Sequence, residues 1–162
     1  GARLLVADLR DQALEQAVAE FGAEIVPLDR ILAAQADVLA PCALGAVFDD
    51  VTIPTIRAGI VAGAANNQLS EPRHGEMLHR HGVLYAPDYV VNAGGVINIT
   101  YERPIYDREA AFRHIGGIYE TLTDLWRRAE RAGLAPEQMA DRIVEERLAV
   151  KRGLPAQLAE AS

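Results

Sequence analysis

Up to Tyr85 the chain alternates short apolar runs with amphipathic segments, and this alternation admits few folds. Residues 3–8, 24–26, 36–40, 60–63 and 83–85 read as five strands. They are short, apolar and bounded by Gly, Pro, Asp or Asn. Between them, residues 11–21, 28–35 and 71–81 read as helices, and residues 49–58 as a helix that Pro54 interrupts. In the first helix Leu14, Val18 and Phe21 recur at helical spacing, Asp11 is the N-cap candidate and Gly22 the stop. Gly82 plays that terminal part for residues 71–81. Short apolar strands separated by helices make a parallel sheet covered on both faces.

Beyond residue 100 the strand runs cease. Residues 107–132 carry Phe112, Ile115, Ile118, Tyr119, Leu122, Leu125, Trp126 and Ala129 at helical spacing, ended by Gly133. Pro136 opens a second helix reaching about Lys151, with Met139, Ile143 and Leu148 on one side. The tail from Gly153 reads as frayed. The expected division is therefore residues 1–100, residues 101–152 and a tail of residues 153–162.

Composition narrows the function classes. A net charge of −7 disfavours nonspecific binding to nucleic acid or to an anionic membrane. No apolar run approaches the roughly 20 residues of a membrane span. The single cysteine, Cys42, leaves no intrachain disulfide and suits a reducing cytoplasm. Fifteen arginines accompany one lysine, Lys151, so chemistry needing an active-site lysine must draw it from elsewhere.

Four stretches have the residue types of a ligand site. In Tyr85–Ile99, Pro87 and Asp88 end an apolar run, and Asn92 precedes Gly94 and Gly95. The glycines let backbone lie against a flat ligand, and Asn92 offers both a donor and an acceptor to a carboxamide. The plainer alternative is a Pro-Asp turn followed by a glycine-rich helix start. Asp8 closes the first strand of this chain; doubly wound nucleotide-binding folds place, at the end of their second strand, an acid that accepts the adenine-ribose hydroxyls and favours NAD over NADP. Arg10 nearby weakens that preference. Ala40–Gly45 follows the third strand as a tight loop, with Cys42 read as a small packed residue rather than a nucleophile. Asn66 and Asn67 follow the fourth, fitting either a turn or a polar ligand. His74, His79 and His81 invite a metal reading. However, the five-residue step from His74 to His79 misses the i,i+4 spacing, and a surface helix with scattered histidines is the simpler account. His114, in the long helix, reads as structural.

APCALG, then GAANNQLSEPRHG, then LYAPDYVVNAGGVIN, in this order and spacing, resemble the NAD-binding domain of the leucine/phenylalanine/valine dehydrogenase family, related to glutamate dehydrogenase. The likeness extends over VADLR and the two C-terminal helices. It implies a Rossmann-like doubly wound parallel sheet lacking its first strand, followed by two long C-terminal helices. It also implies NAD as cofactor, an amino acid as substrate and a homo-oligomer. By position, Asp8 matches the acid on the adenine ribose, and Cys42 and Ala43 match the loop against the cofactor. Asn66 matches the asparagine near the nicotinamide ribose and the substrate, and Asn92 the residue that holds the carboxamide. Val96 and Ile99 match the wall of the substrate side-chain pocket. Both are branched aliphatics, which points to a branched-chain amino acid, though an apolar wall separates neighbouring hydrocarbons by only ~1–3 kcal/mol per methylene.

Two parts that the resemblance implies are missing. One is the first strand with its G-x-G-x-x-G turn. The other is an N-terminal substrate domain with two lysines, one activating water and one gripping the substrate carboxylate; Lys151 matches neither. The chain then reads as a C-terminal fragment with no catalytic residue of its own and no metal, inactive in isolation and poorly stable. Thr100-Tyr101-Glu102-Arg103 departs from the Ala-Asp-Glu run common at this place. A non-catalytic nucleotide-binding module, a metal hydrolase using His74–His81, and an assembly protein using the C-terminal helices are the competing readings.

Overall fold

The structure, a computed structural model, describes residues 1–102 and 105–152. The frayed-tail expectation lies outside the described residues, as do Arg103 and Pro104. The described residues form a mixed α/β fold of five two-residue parallel strands and six α-helices. Strand β1 (Leu5–Val6) is followed by helix α1 (Asp11–Phe21) and strand β2 (Glu24–Ile25). Strands β3 (Val38–Leu39), β4 (Ile60–Val61) and β5 (Leu84–Tyr85) come next, with helix α2 (Arg73–Arg80) between the last two.

The strands form two sheets rather than one. β1 pairs only with β2, and β3, β4 and β5 pair in that order, all parallel. Among the described residues no strand pairs with the free edge of β1 or of β3. In the larger sheet Leu39, Val61 and Tyr85 are in register. The loops that follow them therefore leave from a common rim.

Local chemistry explains where expected helices fail. Residues 49–58 make only a 3-10 turn at Ile53–Thr55. Asp49 accepts the backbone N–H of Val51 and Thr52, at 2.9 and 2.7 Å, which favours a turn over a helix. Pro54 brings no N–H to continue one. Residues 28–35 likewise shorten to a 3-10 turn at Ile31–Ala33, after the Pro27 carbonyl accepts Arg30 and Ile31. Arg10, not Asp11, occupies the N-cap of α1, and Asp11 lies in the first turn, where its charge still favours the helix. Gly22 and Gly133 end their helices at φ 64°, in the left-handed region.

The core lies around β4. Phe48, Ile53, Ile56, Val61, Leu78 and Tyr85 are buried together, with the Phe48 and Tyr85 rings edge to face at 6.5 Å. After β5 the chain turns into helices α3 (Asp88–Val91) and α4 (Gly94–Thr100), so the glycine pair opens a helix. Helix α5 (Arg108–Ala132) starts at Asp107, whose carboxylate accepts from Ala110 N at 2.9 Å. Helix α6 (Pro136–Lys151) packs on α5 and α2. α5 buries Ala111, Leu122, Leu125 and Ala129, but Phe112 and Tyr119, expected on its apolar side, are 59% and 78% exposed. Trp126 Nε1 donates to the Tyr85 carbonyl at 3.1 Å, giving the outer edge of β5 a partner. The N-terminal unit is thinly packed: among residues 1–47 only Ala23 is buried.

Candidate functional site

Parallel register brings three loops to one rim. Two residues beyond each strand lie Pro41, Gly63 and Pro87. The first two loops are bonded together: Ala65 N donates to Pro41 O at 2.9 Å, and Ala46 N to Asn67 O at 2.6 Å. Gly63 lies so close to the Pro41 backbone that a Cβ would overlap its carbonyl oxygen. A Cβ on Gly45 would stand 2.6 Å from Asn66 O. These glycines allow backbone to pack on backbone, leaving a low main-chain surface at the rim. Cys42 and Ala43 are exposed on this loop.

The third loop adds the side-chain contact. Asn92 Nδ2 donates to Asn66 Oδ1 at 2.6 Å and lies 3.3 Å from Ala64 O. Residues 26 apart in sequence thus face each other, with Asn66 Nδ2 and Asn92 Oδ1 remaining as a donor and an acceptor. The neighbouring asparagines divide the two roles the sequence left open. Asn67 takes the left-handed turn at φ 52°, and Asn66 makes the cross-loop contact. Ala46 is also left-handed, at φ 55°, a strained position for a residue with a Cβ.

Two buried residues that sequence reasoning left without a role hold these loops. Gln68 is fully buried, and its Nε2 donates to Gly63 O and Ala65 O, both at 2.9 Å. Asp88 accepts Gln68 N at 3.0 Å and Tyr89 N at 2.7 Å, which fastens the Asn66 loop to the start of α3. Pro87-Asp88 signals a turn in sequence, but nothing local signals its partner twenty residues earlier.

Asp8 lies at the carboxyl end of β1, on the smaller sheet. Its partner is Arg10, whose side chain and backbone N–H bond its carboxylate and hold it below the usual carboxylate range. No hydrogen bond joins Asp8 to the Asn66–Asn92 pair among the described residues. Val96 and Ile99 are 70% and 63% exposed on α4. Ile97, on another side of α4, lines a groove against α5 with Tyr89, Val90, His114 and Ile118.

The three histidines near α2 do not all lie on the surface. His74 is buried rather than a surface residue; its Nδ1 accepts Glu71 N at 3.0 Å and its Nε2 lies 3.7 Å from Asp50. His79 and His81 are exposed, and His81 Nε2 lies 3.2 Å from the Ile56 carbonyl. Among the described residues no group of three His, Cys, Asp or Glu side chains is placed to hold a metal. No described helix is long and apolar enough to cross a membrane.

Fold and rim together describe an α/β protein whose conspicuous polar groups gather where parallel strands end, the usual ligand edge of such sheets. Comparison with known proteins makes the class specific. Residues 4–104 match the Glutamate/Leucine/Phenylalanine/Valine dehydrogenase family, and the chain belongs to it. It is 48% identical over 149 residues to leucine dehydrogenase of Bacillus cereus, covering 92% of this chain and 41% of that protein. It is 39% identical over 155 residues to valine dehydrogenase of Streptomyces albus, covering 94% and 43%. The crystal structure of L-tryptophan dehydrogenase from Nostoc punctiforme superposes with a TM-score of 0.86 at 42% identity, covering 90% of this chain and 44% of that one. The chain spans about two-fifths of the length of these relatives.

Proposed function

We propose that this chain is the cofactor-side, C-terminal part of an NAD-dependent amino acid dehydrogenase. The full protein would convert a branched-chain L-amino acid reversibly to its 2-oxo acid and ammonia, in the cytoplasm and as a homo-oligomer. The observation that bears most on this is the Asn66–Asn92 pair on a rim of closely packed main chain. It offers one amide donor and one carbonyl acceptor, the complement of a carboxamide. The low surface around Gly45 and Gly63 suits a flat ring.

The residues present fit a dinucleotide. Asn92 would hold the carboxamide, and Asn66 would sit between nicotinamide ribose and substrate. Cys42 and Ala43 would face the cofactor through their backbone. The ionised Asp8 would accept the adenine-ribose hydroxyls once Arg10 swings aside. Bound NAD supplies the acceptor for the hydride leaving the substrate Cα. This chain orients and shields. The proton-transfer groups for hydrolysing the resulting imine, including the two lysines, would come from the N-terminal domain.

Sheet geometry supports the reading that a strand lies elsewhere in the protein. In a doubly wound sheet of order 3-2-1-4-5-6, removal of strand 1 leaves a pair and a triplet. The pair β2–β1 and the triplet β3–β4–β5 have that arrangement.

A branched-chain substrate follows from Val96 and Ile99 and agrees with the leucine and valine dehydrogenase relatives. The tryptophan dehydrogenase relative makes leucine, valine and tryptophan the set to compare. The test is NADH formation by the full-length protein with each of the three. Turnover fastest on leucine or valine is expected. Asn92→Ala should raise the KM for NAD about tenfold, the effect of losing about 1–2 kcal/mol of hydrogen bonding. No amino-acid-dependent NADH formation would refute the proposal, and preference for tryptophan would refute its substrate.

A further inference from the structure

Tyr101, just past the end of α4, makes a clasp between α4 and α5. The Tyr101 hydroxyl lies 3.2 Å from His114 Nδ1. Their rings meet edge to face, with centroids 5.9 Å apart and planes at 81°. In the tautomer with the proton on Nε2, tyrosine donates and imidazole accepts. Beside this pair the Tyr106 hydroxyl donates to Asn98 Oδ1 at 2.6 Å, and Asn98 Nδ2 reaches Glu102 at 3.4 Å.

These bonds add to what holds α4, which also packs on α5 with Ile97 partly buried in the groove between them. None of its seven residues is buried, whereas α5 is anchored by Ala111, Leu122, Leu125 and Ala129. The first turn of α4 lies beside Ile115, which a Cβ on Gly94 would meet at an ordinary contact distance of 3.8 Å. Just before it, Asn92 ties the chain to the Asn66 loop. Gly94, Asn98 and Tyr101 recur at i, i+4 and i+7, one helical face, and this face turns to α5. Val96 and Ile99 stand on another and remain open. Rotation of α4 about its axis is therefore restrained at one end by Asn92 and at the other by the Tyr101 contact with His114 of α5 and by the Tyr106–Asn98 bond.

We propose that Tyr101 and His114 are positioning residues: their clasp sets where α4 presents Val96 and Ile99, and so tunes side-chain selectivity in the substrate wall. This rests on the wall assignment made above. Neither residue touches substrate or cofactor in this account.

The test is amide hydrogen exchange over residues 96–100 in the full-length protein, together with the leucine-to-valine ratio of kcat/KM. Tyr101→Phe removes one oxygen and keeps the ring contact. His114→Leu removes the acceptor. His114→Asn returns an acceptor near the position of Nδ1. Protection should fall on the order of three- to tenfold in the first two variants and recover in the third. The leucine-to-valine ratio should shift with it, while the KM for NAD stays constant. Unchanged protection in both Tyr101→Phe and His114→Leu overturns the clasp. Reduced protection with an unchanged ratio overturns its role in selectivity. Should the wild-type protein turn over neither amino acid, the dehydrogenase reading fails together with the selectivity role, and exchange alone then decides whether the clasp holds α4.

Discussion

Glu137 is buried in the first turn of α6 against the bare Cα of Gly75, and among the described residues neither of its carboxylate oxygens has a hydrogen-bond partner. Burial pushes its carboxyl up to about 6 from an ordinary 4.5, and the negative charges of Asp141 and Glu76 add to the shift. A carboxyl raised on folding favours the protonated native state. Its stabilising effect is thus complete below the unfolded value of 4.5 and disappears as pH rises through about 6. In the full-length protein, Glu137→Gln should add about 1 kcal/mol at pH 7.5 and nothing at pH 4, read as a pH-dependent gain in Tm. Gly63 permits the opposite kind of change. Gly63→Ala should cost about 1–3 kcal/mol, because the overlapping Pro41 atoms are backbone and cannot rotate away. Thermal unfolding of the variant checks this. Neither position was legible in the sequence, since each depends on a residue more than twenty positions distant.

Elements followed local signals where these were strong and lost them where side chains competed with the backbone. α1 ends at Gly22, and α6 spans the expected Pro136–Lys151. The expected helix over residues 49–58 collapsed because Asp49 bonds its own loop. Amphipathic spacing located α5, but not the part of its apolar stripe that this chain covers. Trp126 shows how the stripe is used: its ring packs while its N–H serves the β5 edge. Trp126→Phe keeps most of the ring and strands the Tyr85 carbonyl. It should cost about 1 kcal/mol and increase exchange of the Leu84–Ala86 amides, measurable by mass spectrometry.

For the molecule as a whole, the distribution of burial is uneven. The β3–β4–β5 sheet has a closed core, while the β1–β2 unit leaves Leu9, Phe21 and Ile25 at least half exposed and buries nothing of α1. Free edges on β1 and β3 add unpaired backbone beside that apolar surface. The isolated 162-residue chain should therefore self-associate and bind a hydrophobic dye such as ANS, and it should form no NADH from leucine and NAD. Light scattering, dye fluorescence and absorbance of the purified chain test these expectations. A monomeric, dye-silent chain would contradict them.

Periodicity, proline and glycine stops, and three ordered motifs sufficed to reveal strand–helix alternation, most helix limits and the family, because these signals act between residues a few positions apart. The pairing of Asn66 with Asn92 and the burial of His74 and Glu137 were decided by tertiary structure. Each depends on which strands lie side by side and in what register. That choice is made by packing among Phe48, Val61, Leu78 and Tyr85, which no window of neighbouring residues contains.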